Sequence, residues 1–270
     1  MTEAGTTLPA VKKGYVDTPD GQVHYRTSGT AVEGKVPLFC FHQSPNSSLT
    51  FHEILPYLGA ERLAYATDTP GFGESFRPPR RPQIPDYARW LRGTANALGY
   101  KKFDICGIFT GAGIASHMAM AYPEEVRRVV LIGPPLFDEK FRNKDPWPEL
   151  PKLDGSHLMI EWNKMMETLP ISGINFERQF ETYRELWRGG AHAIWGEDAV
   201  NAYSLKETLP KITRPVLVVY PDGIRADVTS AIKLLKNPQV ARLEEIQGYF
   251  MMQTHPKLVA GVINPFLDGK

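Results

Sequence analysis

The run Phe103-Asp104-Ile105-Cys106-Gly107-Ile108-Phe109-Thr110-Gly111-Ala112-Gly113 limits what this chain can fold into more than any other stretch. It opens as a short apolar strand, breaks into small residues and continues as a helix. Gly107 and Gly111 stand two residues on either side of Phe109, a spacing that lets the backbone bend sharply and hold one side chain at the apex of a strained turn. An apex of this kind is a mount for a nucleophile. Here it carries a benzyl group, which cannot attack a carbonyl.

The rest of the chain supplies the sheet that such a turn needs. Lys12 to Asp17 and Gln22 to Ser28 read as strands joined by the turn Pro19-Asp20-Gly21. Val36 to Phe41 is too evenly apolar for a half-exposed strand and suits one covered on both faces. A helix over Leu49 to Leu58, a strand over Arg62 to Thr67, a helix over Tyr87 to Leu98, the run above with its helix from Gly113 to Tyr122, and a strand over Val126 to Ile132 follow. Strands alternating with helices at this spacing imply a doubly wound, mostly parallel α/β sheet. The rhythm breaks at Pro134 and resumes with Val216 to Tyr220, a helix near Thr229 to Leu235, a strand over Ala241 to Glu245 and a closing helix from Pro256 to Leu267. The interval between carries helical stretches at Ser156 to Leu169 and Asn175 to Trp187 and reads as an inserted helical cap. Residues 1–134 and 209–270 are therefore expected to form the core domain and residues 135–208 the cap. The cap residues Met159, Ile160, Trp162, Met165 and Met166 recur at helical spacing, as residues packing on the core would.

Composition narrows the partners. A net charge of +1, with basic and acidic residues interspersed, leaves no footprint for nucleic acid or an anionic membrane. A hydrophobic fraction of 42% suffices for a sizeable core, and the aromatic and Met content suggests a small apolar or aromatic molecule as the partner, with assembly as a homodimer left open. Cys40 and Cys106 fall in neighbouring apolar runs and read as buried free thiols, which favours the cytoplasm. Met1 to Leu8 carries no apolar signal region, and no stretch reaches membrane-spanning length. His24, His117 and His192 lack metal-ligand spacing, and Gly71-Phe72-Gly73 lacks the rest of a dinucleotide loop, so neither metal nor cofactor is expected.

Three signatures together resemble the α/β-hydrolase fold superfamily over essentially the whole chain. They are His42-Gln43-Ser44-Pro45 in place of H-G-x-P, Asp68-Thr69-Pro70-Gly71-Phe72-Gly73-Glu74-Ser75 in place of D-x-x-G-x-G-x-S, and the strand-to-helix turn in place of the nucleophile elbow. The resemblance implies a nucleophile at the apex, a His after the last strand and an acid after the penultimate strand or the one before it. This chain places Phe109 and Tyr249 at the first two positions and Ile224 at the third, with Asp222 or Asp227 as the acid if that loop is shifted. His255, just before Pro256, reads as an exposed helix cap. The pattern is that of a branch lacking the Ser-His-Asp triad.

What the resemblance leaves is an oxyanion hole built from the amide of Thr110 and that of Ser44 or Gln43, which depends on backbone and not on side-chain identity. Gln43 replaces a glycine, and hydroxynitrile lyases of the superfamily resemble it in carrying a polar side chain there that binds a substrate hydroxyl. His42 either braces its own loop or meets the substrate. His157 and Glu161, four residues apart, share one face of a cap helix, and Tyr249 is a candidate hydrogen-bond donor. Phe109, Trp162, Phe72 and Met251 complete the expected apolar lining. Two classes of function follow. The first is an enzyme of lyase, decarboxylase, cyclase or isomerase type using Gln43, Ser44, Thr110, His157 and Tyr249. The second is a receptor-like binding protein with Phe109 as pocket floor. A third reading, residual hydrolysis through Thr110 or a water activated by His157, stays beside them.

Overall fold

A computed structural model describes residues 7–136, 151–222, 227–247 and 250–270 of the chain. Its eight strands form one sheet in the order β1-β2-β4-β3-β5-β6-β7-β8. They are β1 Lys12–Thr18, β2 Gly21–Ser28, β3 Leu38–Phe41, β4 Ala64–Thr67, β5 Phe103–Ile108, β6 Val126–Ile132, β7 Val216–Asp222 and β8 Gln239–Gln247. The first two make the expected hairpin, closing at Thr18 opposite Gly21, and β2 runs antiparallel to β4. Every later pairing is parallel.

The even hydrophobicity of the central strands follows from burial on both faces. Phe39 and Phe41, Phe103 and Ile105, Val129 and Leu131, and Val216 and Val218 enter one core cluster, with α2 (Ile84–Ala97) and α3 (Thr110–Ala121) over it. The residues between them, Leu38 and Cys40, Cys106 and Ile108, Val130 and Ile132, and Leu217 and Val219, enter the other cluster. There they meet α1 (Leu55–Gly59), α9 (Met251–Thr254) and α10 (Pro256–Leu267). Cys40 and Cys106 are paired in register on β3 and β5, buried and free.

Two of the boundaries that differ from expectation do so for local reasons. The helix expected over Leu49 to Leu58 is a 3-10 turn, Ser48–Phe51, followed by α1. Pro56 has no N–H to give and its ring opposes the preceding turn, so it is accepted only in the first turn of a new helix. The helix expected from Tyr87 begins at Ile84, because the Asp86 carboxylate accepts from the Gln83 N–H at 3.0 Å.

Between β6 and β7 lie α4 (Ser156–Ser172), α5 (Phe176–Arg188), α6 (Trp195–Asn201) and α7 (Leu205–Thr208). Ala199 and Val200 of α6 and Leu205 of α7 belong to the same apolar cluster as the sheet and α3. The last two helices of the insertion are thus seated in the main core, on the side where α3 begins.

Candidate active site

The site lies where β3 and β5 end. Phe109 follows β5 with φ 48° and ψ −112°, a left-handed conformation that a residue with a β-carbon rarely adopts, and α3 starts at the next residue. Two close approaches require the flanking glycines: a Cβ on Gly107 would stand 2.1 Å from the Gly111 carbonyl oxygen, and one on Gly111 would stand 2.0 Å from that of Phe41. The Phe109 ring turns to the side of the sheet holding α1 and α10, where it packs partly buried against that cluster.

The loop after β3 lies directly against the start of α3. The Ser44 N–H points at the Thr110 hydroxyl oxygen at 3.4 Å, and both residues are buried. Thr110 and Gly111 open α3, so their N–H groups have no intrahelical acceptor and face outward at the positive end of the helix. Gln43, next in the loop, is half-buried, and its side-chain Oε1 is a buried acceptor with no hydrogen-bond partner among the described residues. Leaving such an acceptor unmet costs about 1–3 kcal/mol.

His42 has a different place. Its Nδ1 donates to the Gln43 carbonyl at 2.8 Å while its Nε2 accepts from the Thr69 N–H at 2.9 Å. That pattern requires the neutral Nδ1–H tautomer, and burial holds the imidazole pKa down. Both ring nitrogens are therefore spent on tying two loops together, and the expected contact of His42 with a ligand is corrected to a brace. Asp68 braces the next loop: its carboxylate accepts from the Ser48 N–H at 2.7 Å and the Glu74 N–H at 2.8 Å. It also pairs with His24 Nδ1 at 2.8 Å. Burial alone would raise its pKa, but the His24 hydrogen bond leads the effects that bring it down to about 2.

Four further expectations are relocated. Phe72 is a wall of the core, edge-on to the His42 ring with centroids 5.9 Å apart. Met251 is fully buried with Met252 in the second apolar cluster. Trp162 packs edge-on against Phe176, Phe180 and Tyr183 of α5, so its ring is used between two helices of the insertion. His157 and Glu161 are both buried, but on separate partners. His157 Nδ1 accepts from the Lys152 N–H at 3.0 Å and its ring meets Trp187, while Glu161 pairs with Lys164 at 2.9 Å.

At the far end of the sheet, Asp222 pairs with Arg242 at 2.8 Å and Asp227 caps α8 (Val228–Leu234) through the Ser230 N–H at 3.0 Å. His255 is an exposed helix cap bonded to Thr254. Ile224 and Tyr249 lie outside the described residues.

One residue near the site gave no signal in the sequence. Gly196 of α6 sits on the loop after β3, and a Cβ there would overlap Ser44 Oγ at 1.9 Å and reach Phe72 at 3.0 Å. Glu197, the next residue, is enclosed by protein yet partly open to solvent, and no described residue gives its carboxylate a hydrogen bond or a counter-charge. Burial, with Asp198 second, pushes its pKa up to about 8. Among the described residues no group of three or more His, Cys, Asp or Glu could hold a metal ion, and no helix is long and apolar enough to cross a membrane.

Comparison with known proteins agrees with this fold. A family model described as alpha/beta hydrolase fold matches residues 36–223. A serine hydrolase-like protein of Danio rerio is 34% identical over 101 residues, which is 36% of this chain and 30% of that one. The 2-hydroxy-6-oxo-6-phenylhexa-2,4-dienoate hydrolase of Comamonas testosteroni is 28% identical over 142 residues, covering 50% of this chain and 48% of its own length. The chain thus spans half or less of each of these relatives. Among solved structures, the enol-lactonase of Burkholderia xenovorans superposes with a TM-score of 0.77 at 15% identity, over 94% of this chain and 100% of that one.

Proposed function

From the premise that the chain belongs to the alpha/beta hydrolase fold family, we propose that it is an enzyme acting on a small apolar or aromatic carbonyl compound, without a covalent intermediate on residue 109. The substrate carbonyl oxygen is held by the N–H groups that open α3 at Thr110 and Gly111, where charge developing on that oxygen is stabilised. Gln43 orients a substrate hydroxyl, and Ser44 and Thr110 fix the loop against the helix. The observation that carries the reading is the buried, unmet Gln43 Oε1 beside the start of α3. A glycine there would leave no such acceptor, and a substrate hydroxyl satisfies it. The relative from Comamonas is named for a compound bearing both a 2-hydroxy and a 6-oxo group, the combination of donor and carbonyl that these two features would hold.

Phe109 cannot form an acyl enzyme, Asp222 and Asp227 are occupied elsewhere, and the sequence carries Tyr249 where a base is expected. Attack therefore comes from water, giving hydrolysis, as the names of the relatives favour. A second reading, lyase, decarboxylase or cyclase chemistry on the same oxyanion, is favoured by the apolar ring packed at the apex.

The test is turnover of 2-hydroxy-6-oxo-6-phenylhexa-2,4-dienoate and shorter 2-hydroxy-6-oxo-dienoates. We expect Gln43→Ala to lower kcat/KM by 10- to 100-fold, about 1.4–2.8 kcal/mol of lost transition-state binding, while the melting temperature holds or rises, since the unmet acceptor is removed. Phe109→Ala should retain activity, with no covalent adduct in the mass of the protein during turnover. Equal turnover by Gln43→Ala removes the assignment. A probe that raises the melting temperature and is recovered intact marks a binding protein instead.

A further inference from the structure

Resting on that reading, we propose that Glu197 is the proton-transferring residue of the site, contributed by α6 from the insertion.

The geometry begins with Gly196. Its missing Cβ would overlap Ser44 Oγ at 1.9 Å, so the backbone of α6 lies on the loop that carries Gln43 and Ser44. Consecutive Cα atoms are about 3.8 Å apart, which keeps the Glu197 Cα within about 7 Å of that hydroxyl. Each residue turns about 100° around a helix. That places Glu197 next to Val200, whose Cγ2 would lie 3.5 Å from a Cβ on Gly113 of α3. Glu197 thus stands at the edge of the buried face of α6, over the beginning of α3.

Its surroundings leave the carboxyl available. On the Gly196 side α6 meets Ser44 and Phe72, and on the Val200 side it meets Gly113 of α3, none of them charged. Among the described residues the charged group acting on it is Asp198 on its own helix, itself paired with Arg81 at 2.5 Å. A carboxyl so enclosed is neutral at pH 7 and can give a proton, which an ordinary glutamate cannot.

In hydrolysis the proton of Glu197 passes to the substrate atom that takes up the electrons of the breaking bond. The attacking water gives its hydroxyl to the carbonyl carbon and its proton to the carboxylate left behind. Substrate and one water become two products, and Glu197 ends protonated. In the lyase reading the same residue protonates the carbanion or enolate.

The test compares wild type with Glu197→Gln on the probes above, across pH 5 to 9. We expect kcat to fall at least 100-fold in Glu197→Gln and the loss of wild-type activity near pH 8 to be absent from whatever turnover remains. Thermal melting supplies a readout without substrate. A raised folded-state pKa means stability is lost as pH rises from the unfolded value towards 8. The variant should therefore match wild type at pH 5 and melt several degrees higher at pH 8 to 9. Unchanged kcat overturns the proposal, as does a fall in kcat with the alkaline limb kept or a melting difference that does not widen with pH. If the wild type turns over none of the probes, it is the reading of the preceding subsection that fails and this one falls with it; normal turnover by both proteins removes Glu197 alone.

Discussion

Phe109 holds a left-handed backbone at φ 48°, at a cost of about 1–3 kcal/mol, and the close packing of Gly107 on Gly111 and of Gly111 on Phe41 prevents it from relaxing. The bend persists through contacts of the main chain, so its N–H groups stay aimed at the same point whatever side chain tops it. Asp68 does the corresponding work for the neighbouring loop. Its carboxylate accepts two backbone N–H groups and pairs with His24, and a Cβ on Gly73 would stand 2.0 Å from it. With its pKa depressed to about 2, the carboxylate contributes stability that is complete above the unfolded value near 4. That stability is lost as pH falls through about 2, on the order of 2–3 kcal/mol in all. Urea unfolding of Asp68→Asn between pH 5 and pH 2 should show a lower midpoint at pH 5 and a shallower decline below pH 4 than wild type. Parallel curves would mean that the titration of Asp68 is not linked to folding.

At the scale of elements, α5 is strapped to the core at both ends. Near its start, Arg178 Nη2 donates to the Leu49 carbonyl at 2.6 Å and its Nε lies 2.9 Å from Glu53; at its end, Arg188 lies 3.3 Å from Glu74. The Arg178 side chain is only 11% exposed, so its hydrogen bonds are shielded, and charged bonds of this kind contribute about 1.5–3 kcal/mol each. Arg178→Ala should speed amide exchange in α4 and α5 at least tenfold while leaving β3, β5 and β6 unchanged. A uniform change over all elements would show that the insertion does not open separately from the sheet. The strands and most helices were legible because period-two burial on two faces and local caps leave their marks within a few residues. The helix over Leu49 to Leu58 was misread because a single Pro56 outweighs its apolar spacing. The site was less legible, for a reason of distance. Asp68 finds His24 across 44 positions, and Glu197 in Trp-Gly-Glu-Asp resembles a solvated helix start until Gly196 is seen resting on Ser44. Phe72, Met251 and Trp162 have the composition of a pocket lining, yet core and lining are made of the same residue types.

Across the whole molecule, the candidate site and the ionic anchoring of the last helix occupy opposite ends of the sheet. The loops at the carboxyl ends of β3 and β5 hold Gln43, Ser44 and Thr110. At the other end of β5, Asp104 is wholly buried and receives a bidentate pair from Arg127 at 2.5 and 3.0 Å. Arg62, also buried, lies 3.7 Å from Asp104 and 2.6 Å from Asp268 after α10. Arg127 adds a bond to the Leu267 carbonyl at 2.7 Å, and Lys35 pairs with Asp268 at 3.0 Å. The network ties the last helix to the central strand at the end away from the loops. Removing one partner from a buried ionic cluster costs about 3–5 kcal/mol, because the remaining charges are left desolvated. Arg62→Ala should therefore lower unfolding stability by about 3 kcal/mol or more, whereas Lys35→Ala, at a more exposed pair, should cost less than about 1 kcal/mol. Neither change alters the geometry at Thr110, so kcat on any substrate should be unaffected below the melting transition. A loss of kcat in Arg62→Ala at temperatures where the protein is still folded would mean that the two ends of the sheet are coupled.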